Sequence, residues 1–200
     1  MHPEPGTITI CSLSPLTNLG MALVKEPRIA GRIREIVLMG GTRTEVGNIT
    51  PVAEYNIYVD PEAADIVLKS GIAITIAPLD VTALVLAGRD RLARFANLGN
   101  RAGAAIAGLL DFSQTLDLTR WGGIGAPLWD PCAVAYLLQP QLFKGKMVNV
   151  CIETTSPLTR GTTVVDWWHA TDRPPNANFL FDLNVEGFFN LLTERFARLP

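Results

Sequence analysis

The chain has 200 residues, 48% of them hydrophobic, and carries 17 lysines and arginines against 19 acidic residues for a formal charge of -2. That is enough apolar material to bury a substantial core, most simply as one domain over residues 1–200. The near-neutral balance excludes the basic footprint of a nucleic-acid binder and the polybasic patch of a membrane-surface protein, so a small neutral ligand is the expected partner. Apolar runs such as Ile72 to Leu79 are far too short to cross a bilayer, and Met1-His2-Pro3-Glu4-Pro5 lacks the charged start and apolar stretch of a signal peptide. A cytoplasmic protein with no membrane partner is expected. Cys11, Cys132 and Cys151 are odd in number and each sits in an apolar run, which suits reduced, buried thiols.

In chain order, Thr7 to Cys11 has the β-branched content of a strand, and Leu16, Leu19, Leu23 and Val24 then recur at helical spacing. Glu35 to Met39 reads as a buried strand ending at Gly40-Gly41. Asp60-Pro61-Glu62 combines an N-cap, a proline at the first helical position and an acidic first turn, and Gly71 supplies the stop. Ile72 to Pro78 is another continuous apolar strand. Arg89 to Leu118 reads as helical, with Leu92, Phe95, Ile106, Leu109, Leu110 and Leu116 as core candidates. Trp121 to Pro127 is a glycine-rich loop, and Asp130-Pro131 opens a helix through Leu138. Strands follow near Met147 to Ile152, Thr162 to Val165 and Asn178 to Phe181, two or three of them as a possible separate ribbon. A last helix, Val185 to Leu199, places Val185, Phe188, Phe189, Leu192 and Phe196 on one face. The alternation of strands and helices predicts an α/β fold, with a mainly parallel, Rossmann-like sheet flanked by helices.

In such a sheet ligands bind outside the carboxyl ends of the strands, so the segments after each strand are where function is sought. They are Leu13 to Asn18, then Met39-Gly40-Gly41 running on to Asn48 and Glu54-Tyr55-Asn56, then Leu79-Asp80-Val81-Thr82. The run Val37 to Gly41, continuing through Gly47-Asn48-Ile49-Thr50-Pro51-Val52-Ala53-Glu54-Tyr55-Asn56 and Asp60 to Ala64, is similar to the signature of the calcium-dependent, inosine/uridine-preferring nucleoside hydrolases. The resemblance continues through Pro78 to Thr82, Asp130-Pro131-Cys132-Ala133-Val134-Ala135-Tyr136 and Leu158 to Asp166, and spans nearly the whole chain. It implies the carboxyl-terminal two-thirds of a nucleoside hydrolase fold lacking its opening strands.

The resemblance further implies a hydrolase that cleaves the N-glycosidic bond of ribonucleosides through an oxocarbenium-like transition state, the attacking water being bound to calcium and activated by an aspartate. Asn48, Glu54 and Asn56, with Met39 beside them, would bind the substrate's ribose. Amides and a carboxylate supply the donors and acceptors that vicinal hydroxyls require. Asp130 and the backbone carbonyl of Leu13 would be calcium ligands, a cation that favours such hard oxygens. Plainer readings stand beside these. Asn48 would cap a turn after Gly47, Glu54 would be a solvated loop residue, and Asp130 before Pro131 would be a simple helix N-cap.

The chain departs from the family pattern in two places. The family's opening cluster, Asp-x-Asp-x-x-x-Asp-Asp, supplies most calcium ligands and the catalytic base, and no such cluster occurs here, so the calcium site is incomplete in this chain. Trp129 stands where many members carry a histidine general acid. A purine-preferring branch carries tryptophan there and stacks it on the base, so the resemblance implies a purine platform; ordinary core packing is the alternative. General acid catalysis is worth about 10²–10⁴-fold and one aromatic stack roughly 1–3 kcal/mol, so the ring alone does not replace the acid. The rival to an enzyme is a non-catalytic nucleoside- or ribose-binding remnant, or a subunit of a complementing assembly. A third, an unrelated α/β binding domain, is disfavoured by the number of matching motifs. His2 and His169 read as exposed, and the Gly122-Gly123-x-Gly125 run follows a helix and so fails as a dinucleotide fingerprint. Asp80 and Thr82 are either supports of the site or plain structure. A sheet lacking its opening strands should expose an edge, so self-association into a homo-oligomer is expected.

Overall fold

The computed structural model describes residues 4–117 and 124–200, the side chains of 114–117 excepted. Its elements are β1 (Ile8–Ser12), α1 (Thr17–Lys25), β2 (Ile33–Met39), α2 (Tyr55–Val59), α3 (Pro61–Leu68), β3 (Ala73–Ala77), α4 (Leu79–Thr82), β4 (Leu86–Ala87), α5 (Arg89–Ala96), α6 (Arg101–Asp117), β5 (Ala126–Pro127), α7 (Trp129–Leu138), β6 (Phe143–Ile152), β7 (Thr163–Asp166), β8 (Ala177–Leu183) and α8 (Val185–Phe196). The α/β expectation is met. Six strands run in the order β1-β2-β3-β8-β6-β7, with β1, β2, β3 and β8 parallel and β6 antiparallel to both of its neighbours.

Strand alternation builds two cores from one sheet. Val37 and Met39 of β2 face one way, with Ala77, Leu180 and the apolar sides of α5, α7 and α8. Ile36 and Leu38 face the other way, with Ile74, Ile76, Phe179 and helices α1 and α3. Both faces of β2 and β3 are therefore covered, which explains their continuous apolar sequences. Asp60 accepts a hydrogen bond from the Ala63 amide at 3.0 Å and caps α3 as its sequence predicts. Among the described residues no helix is long and apolar enough to cross a membrane. Cys11, Cys132 and Cys151 are all free thiols.

Several elements differ from the sequence expectation. The helix expected from Arg89 to Leu118 is two helices, because Gly99 turns the chain at φ 72 and Asn100 starts α6, its side chain accepting from the Gly103 amide. Leu109 is exposed instead of core, and the side chain of Leu116 and all of Leu118 and Trp121 lie outside the described residues. Val24 also faces outward while Leu16 and Leu23 are buried. The later strands make no separate ribbon: β8 enters the main sheet and β6 joins it to β7. The small ribbon that does exist pairs β4 with β5, the second of which lies at the end of a stretch read as loop.

β1 has β2 on one side and, among the described residues, no strand on the other. All five of its residues are partly exposed. An uncovered parallel edge offers unpaired backbone groups to another chain. In light scattering the isolated chain is therefore expected to run heavier than its 21.7 kDa; a monodisperse monomer at micromolar concentration would show that the edge is self-sufficient.

Candidate functional site

The first three strands end level with one another. Ser12 pairs with Leu38, and Met39 with Ala77. The segments beyond them are thereby delivered to one place: Leu13 after β1, Gly40-Gly41 after β2, and Pro78-Leu79-Asp80 after β3. The Gly40 amide donates to the Ala77 carbonyl at 3.2 Å and the Leu79 amide to the Gly41 carbonyl at 2.9 Å, so the turns after β2 and β3 are laced together. Gly41 sits at φ 75, and a Cβ there would stand 2.7 Å from Thr163 Oγ1. Only glycine combines that conformation with that approach.

Glu54 is the centre of this region. It is 1% exposed, which overturns the solvated-loop alternative. Its Oε2 accepts from the Gly41 amide at 3.0 Å and the Ile57 amide at 3.3 Å, and its Oε1 accepts from the Asn56 amide at 2.9 Å. Asn48 Oδ1 accepts from the Tyr55 amide at 2.8 Å, so its bond reaches forward seven residues and does not merely cap the turn after Gly47. The orphan N–H groups at the start of α2 are thus met by Asn48 and Glu54 together. This is why a five-residue helix with little propensity of its own forms at all. Asn56, also buried, donates its Nδ2 to the Met39 carbonyl at 3.1 Å and lies against the Met39 sulfur.

The first turn of α7 carries Trp129 and Asp130, and α7 packs on β2 and β1. Asp130 is not the N-cap expected from Asp130-Pro131. The helix starts two residues earlier than that cap would set, at Trp129; Leu128 occupies the cap position without a side-chain bond, and the Asp130 carboxylate has no hydrogen bond or ion pair to a described residue. Burial holds the Asp130 carboxyl above the usual aspartate range, even at the positive end of a helix. Burial likewise raises Glu54, opposed by its three backbone hydrogen bonds and reinforced by the Asp130 charge. Cys11 and Cys132 are also pushed up, by burial first and by Asp130 second. One carboxylate thus acts on groups from β1, α7 and the α2 cap, which brings Glu54 and Asp130 into one electrostatic neighbourhood. Leu13 is exposed just beyond β1, two residues past Cys11. The Trp129 ring is half-buried against the core beneath α7, and its indole N–H is buried with no hydrogen-bond partner among the described residues. The packing alternative therefore accounts for part of the ring but leaves its polar atom unexplained.

For Asp80 the sequence alone leaves two roles open, and its contacts run to the loop after β2. Its Oδ2 accepts from the Arg43 amide at 2.8 Å and its Oδ1 from the Thr44 amide at 2.9 Å and the Thr44 hydroxyl at 2.6 Å, so it organises the loop leaving Gly41. The available signal is an aspartate directly after a strand end, within a short helical turn. Thr163 escapes sequence reasoning altogether: its hydroxyl accepts from the Thr42 amide at 3.2 Å. Thr82 is fully buried, its hydroxyl turned to the Leu79 carbonyl. His169 is exposed, as expected; His2 and Gly122-Gly123 lie outside the described residues.

Calcium takes about six to eight oxygens, and among the described residues no group of three or more His, Cys, Asp or Glu side chains is placed to hold a metal ion. Asp130 and the Leu13 carbonyl are two oxygens at most. The described residues do not fit a calcium site by themselves.

Known proteins share this sequence pattern and fold. The sequence model of the family described as "Inosine-uridine preferring nucleoside hydrolase" matches residues 1–190. An uncharacterized protein of Schizosaccharomyces pombe is 48% identical over 98% of this chain and 64% of its own length. A protein of Shewanella oneidensis named pyrimidine-specific ribonucleoside hydrolase RihA is 46% identical over 95% of this chain and 60% of its own. Among solved structures, a purine-preferring ribonucleoside hydrolase from Gardnerella vaginalis superposes with a TM-score of 0.87 at 32% identity, covering 96% of this chain and 61% of that one. The chain thus spans roughly three fifths of the length of these relatives.

A carboxyl whose folded pKa lies above its ordinary value keeps a proton that the unfolded chain has released. Unfolding free energy from Glu54 and Asp130 therefore falls as pH rises through the interval between the ordinary and the raised values. Asp130→Asn removes the unpartnered charge and its push on Glu54. In urea titrations at neutral pH the variant is expected to be the more stable protein, with the difference fading as pH falls through the ordinary aspartate value of 3.8 and the carboxyl becomes neutral in the unfolded chain as well. A less stable variant at neutral pH would mean that the Asp130 carboxylate has a stabilising partner.

Proposed function

Because the chain belongs to the inosine-uridine preferring nucleoside hydrolase family, we propose that it forms the sugar- and base-holding part of an enzyme that hydrolyses the N-glycosidic bond of ribonucleosides to ribose and free base. The observation that carries the reading is the buried Glu54 carboxylate, which draws Gly41, α2 and Asn56 together beside the unpartnered Asp130. A buried carboxylate with a raised pKa, beside a second carboxylate that has no partner among the described residues, is an arrangement that working sites favour.

In this reading Asn48, Glu54 and Asn56 orient the ribose. Asn48 Oδ1, both Glu54 oxygens and Asn56 Nδ2 are held to backbone before substrate arrives, so little order has to be imposed on binding. Met39 closes the floor beside Asn56, and Trp129 faces the base. An indole N–H cannot protonate a leaving base, so Trp129 assists by stacking and by donating its N–H, which has no partner among the described residues, to an acceptor on the substrate. Asp130 and the Leu13 carbonyl offer hard oxygens toward calcium, and the remaining ligands and the base that activates water come from outside this chain. Purine preference rests on Trp129 alone, since the names of the relatives divide between pyrimidine-specific and purine-preferring. One observation favours a second reading, in which the 200 residues bind a nucleoside without cleaving it: the described residues hold no cluster of three acidic side chains.

Ribose release from inosine, guanosine and uridine, measured in calcium with the chain and with an amino-terminally extended form, tests the proposal. The extended form is expected to cleave, and Trp129→Ala to lower its efficiency on inosine by roughly 1–3 kcal/mol, the worth of one aromatic stack, with uridine less affected. No release from any nucleoside by either form would overturn the enzymatic reading, and equal losses on both substrates would remove the purine platform.

A further inference from the structure

Asp80 carries more than its place in a short helix requires. An acidic residue in the first turn of α4 gains from the helix terminus wherever its carboxylate points, yet this carboxylate turns back onto the preceding loop and spends both oxygens there. It takes the amides of Arg43 and Thr44 and the Thr44 hydroxyl, with the Thr42 hydroxyl 3.4 Å away. The same loop is held at two further points. The Thr42 amide donates to Thr163 Oγ1 at 3.2 Å, and the Arg43 guanidinium lies 4.1 Å from the centre of the Trp167 ring. Just ahead of these anchors stands Gly41, whose amide is one of the three that Glu54 grips.

A glycine at positive φ is the most pliable point of the segment, so its direction is set by what holds the residues on either side. On one side is β2. On the other is Asp80. We propose that Asp80 is a positioning residue for the ribose site: by fixing the backbone of Arg43 and Thr44 it aims the Gly41 amide at Glu54, and through Glu54 it sets Asn56. The inference rests on the reading of Glu54 and Asn56 as ribose-holding groups, and it adds a residue that touches neither substrate nor metal. Charge is essential to the role, because an amide in its place offers one acceptor oxygen to donors that now engage two.

The test compares the full chain with its Asp80→Asn and Thr44→Val variants, by amide hydrogen exchange and by calorimetric titration of inosine. Asp80→Asn is expected to speed exchange at Gly41, Thr42, Arg43 and Thr44 and at the Asn56 and Ile57 amides, while β3 and β8 keep their protection. Thr44→Val, which removes one hydroxyl donor and leaves the amide, is expected to show a smaller change in the same place. Inosine affinity is expected to fall about tenfold in Asp80→Asn, the scale of losing one charge-assisted hydrogen bond. Faster exchange spread evenly over the sheet would show a merely structural aspartate and overturn the proposal. Unchanged exchange at Gly41 and at the Glu54-bound amides would overturn it equally. If the unaltered chain binds no inosine, the ribose-site reading fails by itself, and the coupling from Asp80 to Glu54 is still decided by the exchange pattern.

Discussion

A buried glutamate bound to three backbone amides is the constraint on which the rest of this site depends. Glu54 is at once the cap of α2, the clamp on the Gly41 turn and the neighbour of Asn56. Without it, α2 would be five residues with unmet N–H groups beside a glycine turn free to swing. With it, the carboxyl ends of β2 and β3 share one rigid polar floor within an otherwise apolar interior. Burying a carboxylate is costly unless hydrogen bonds offset it, and here the offset is incomplete, since burial still raises the pKa. The protein thus tolerates local instability at the point where the strands converge, as functional sites do.

Asp130 shows the complementary half of the same logic. Its carboxylate is partly buried at the start of α7 and is left without a hydrogen-bond or ion-pair partner among the described residues. A carboxylate held in that state is suited to a cation or to a polar group brought by another segment. The proportion of relatives that this chain covers, roughly three fifths, leaves ample length for such a segment in them. On the proposed reading, sugar orientation and metal completion are separable: the groups proposed to orient the sugar lie among the described residues, and a full set of metal ligands does not.

Much of the fold is legible in the sequence because it arises from periodicity and capping. Continuous apolar strands before glycines predict the parallel sheet, and Asp60-Pro61 predicts α3 through a cap that forms as written. The misreadings have two causes, a local turn signal inside a helical composition and contacts distant in sequence. Arg89 to Leu118 has helical composition throughout, and only the turn at Gly99 and Asn100 divides it. β4 and β5 are two residues each and pair across nearly forty positions, beyond the reach of any local pattern. At the site, long motifs single out Asn48, Glu54, Asn56 and Asp130, but not the burial of Glu54 or the start of α7 at Trp129, and Asp80 and Thr163 gain meaning only when the loop after Gly41 folds against them.

The most direct measurement is a titration of isotopically labelled chain with inosine, followed through the side-chain amides of Asn48 and Asn56, the Gly41 and Asn56 backbone amides and the Trp129 indole N–H. These resonances are expected to move together along a single saturable curve. Movement of other regions with these groups silent, or separate curves for the Trp129 indole and the Glu54-bound amides, would contradict the claim that one buried carboxylate organises one nucleoside-holding site.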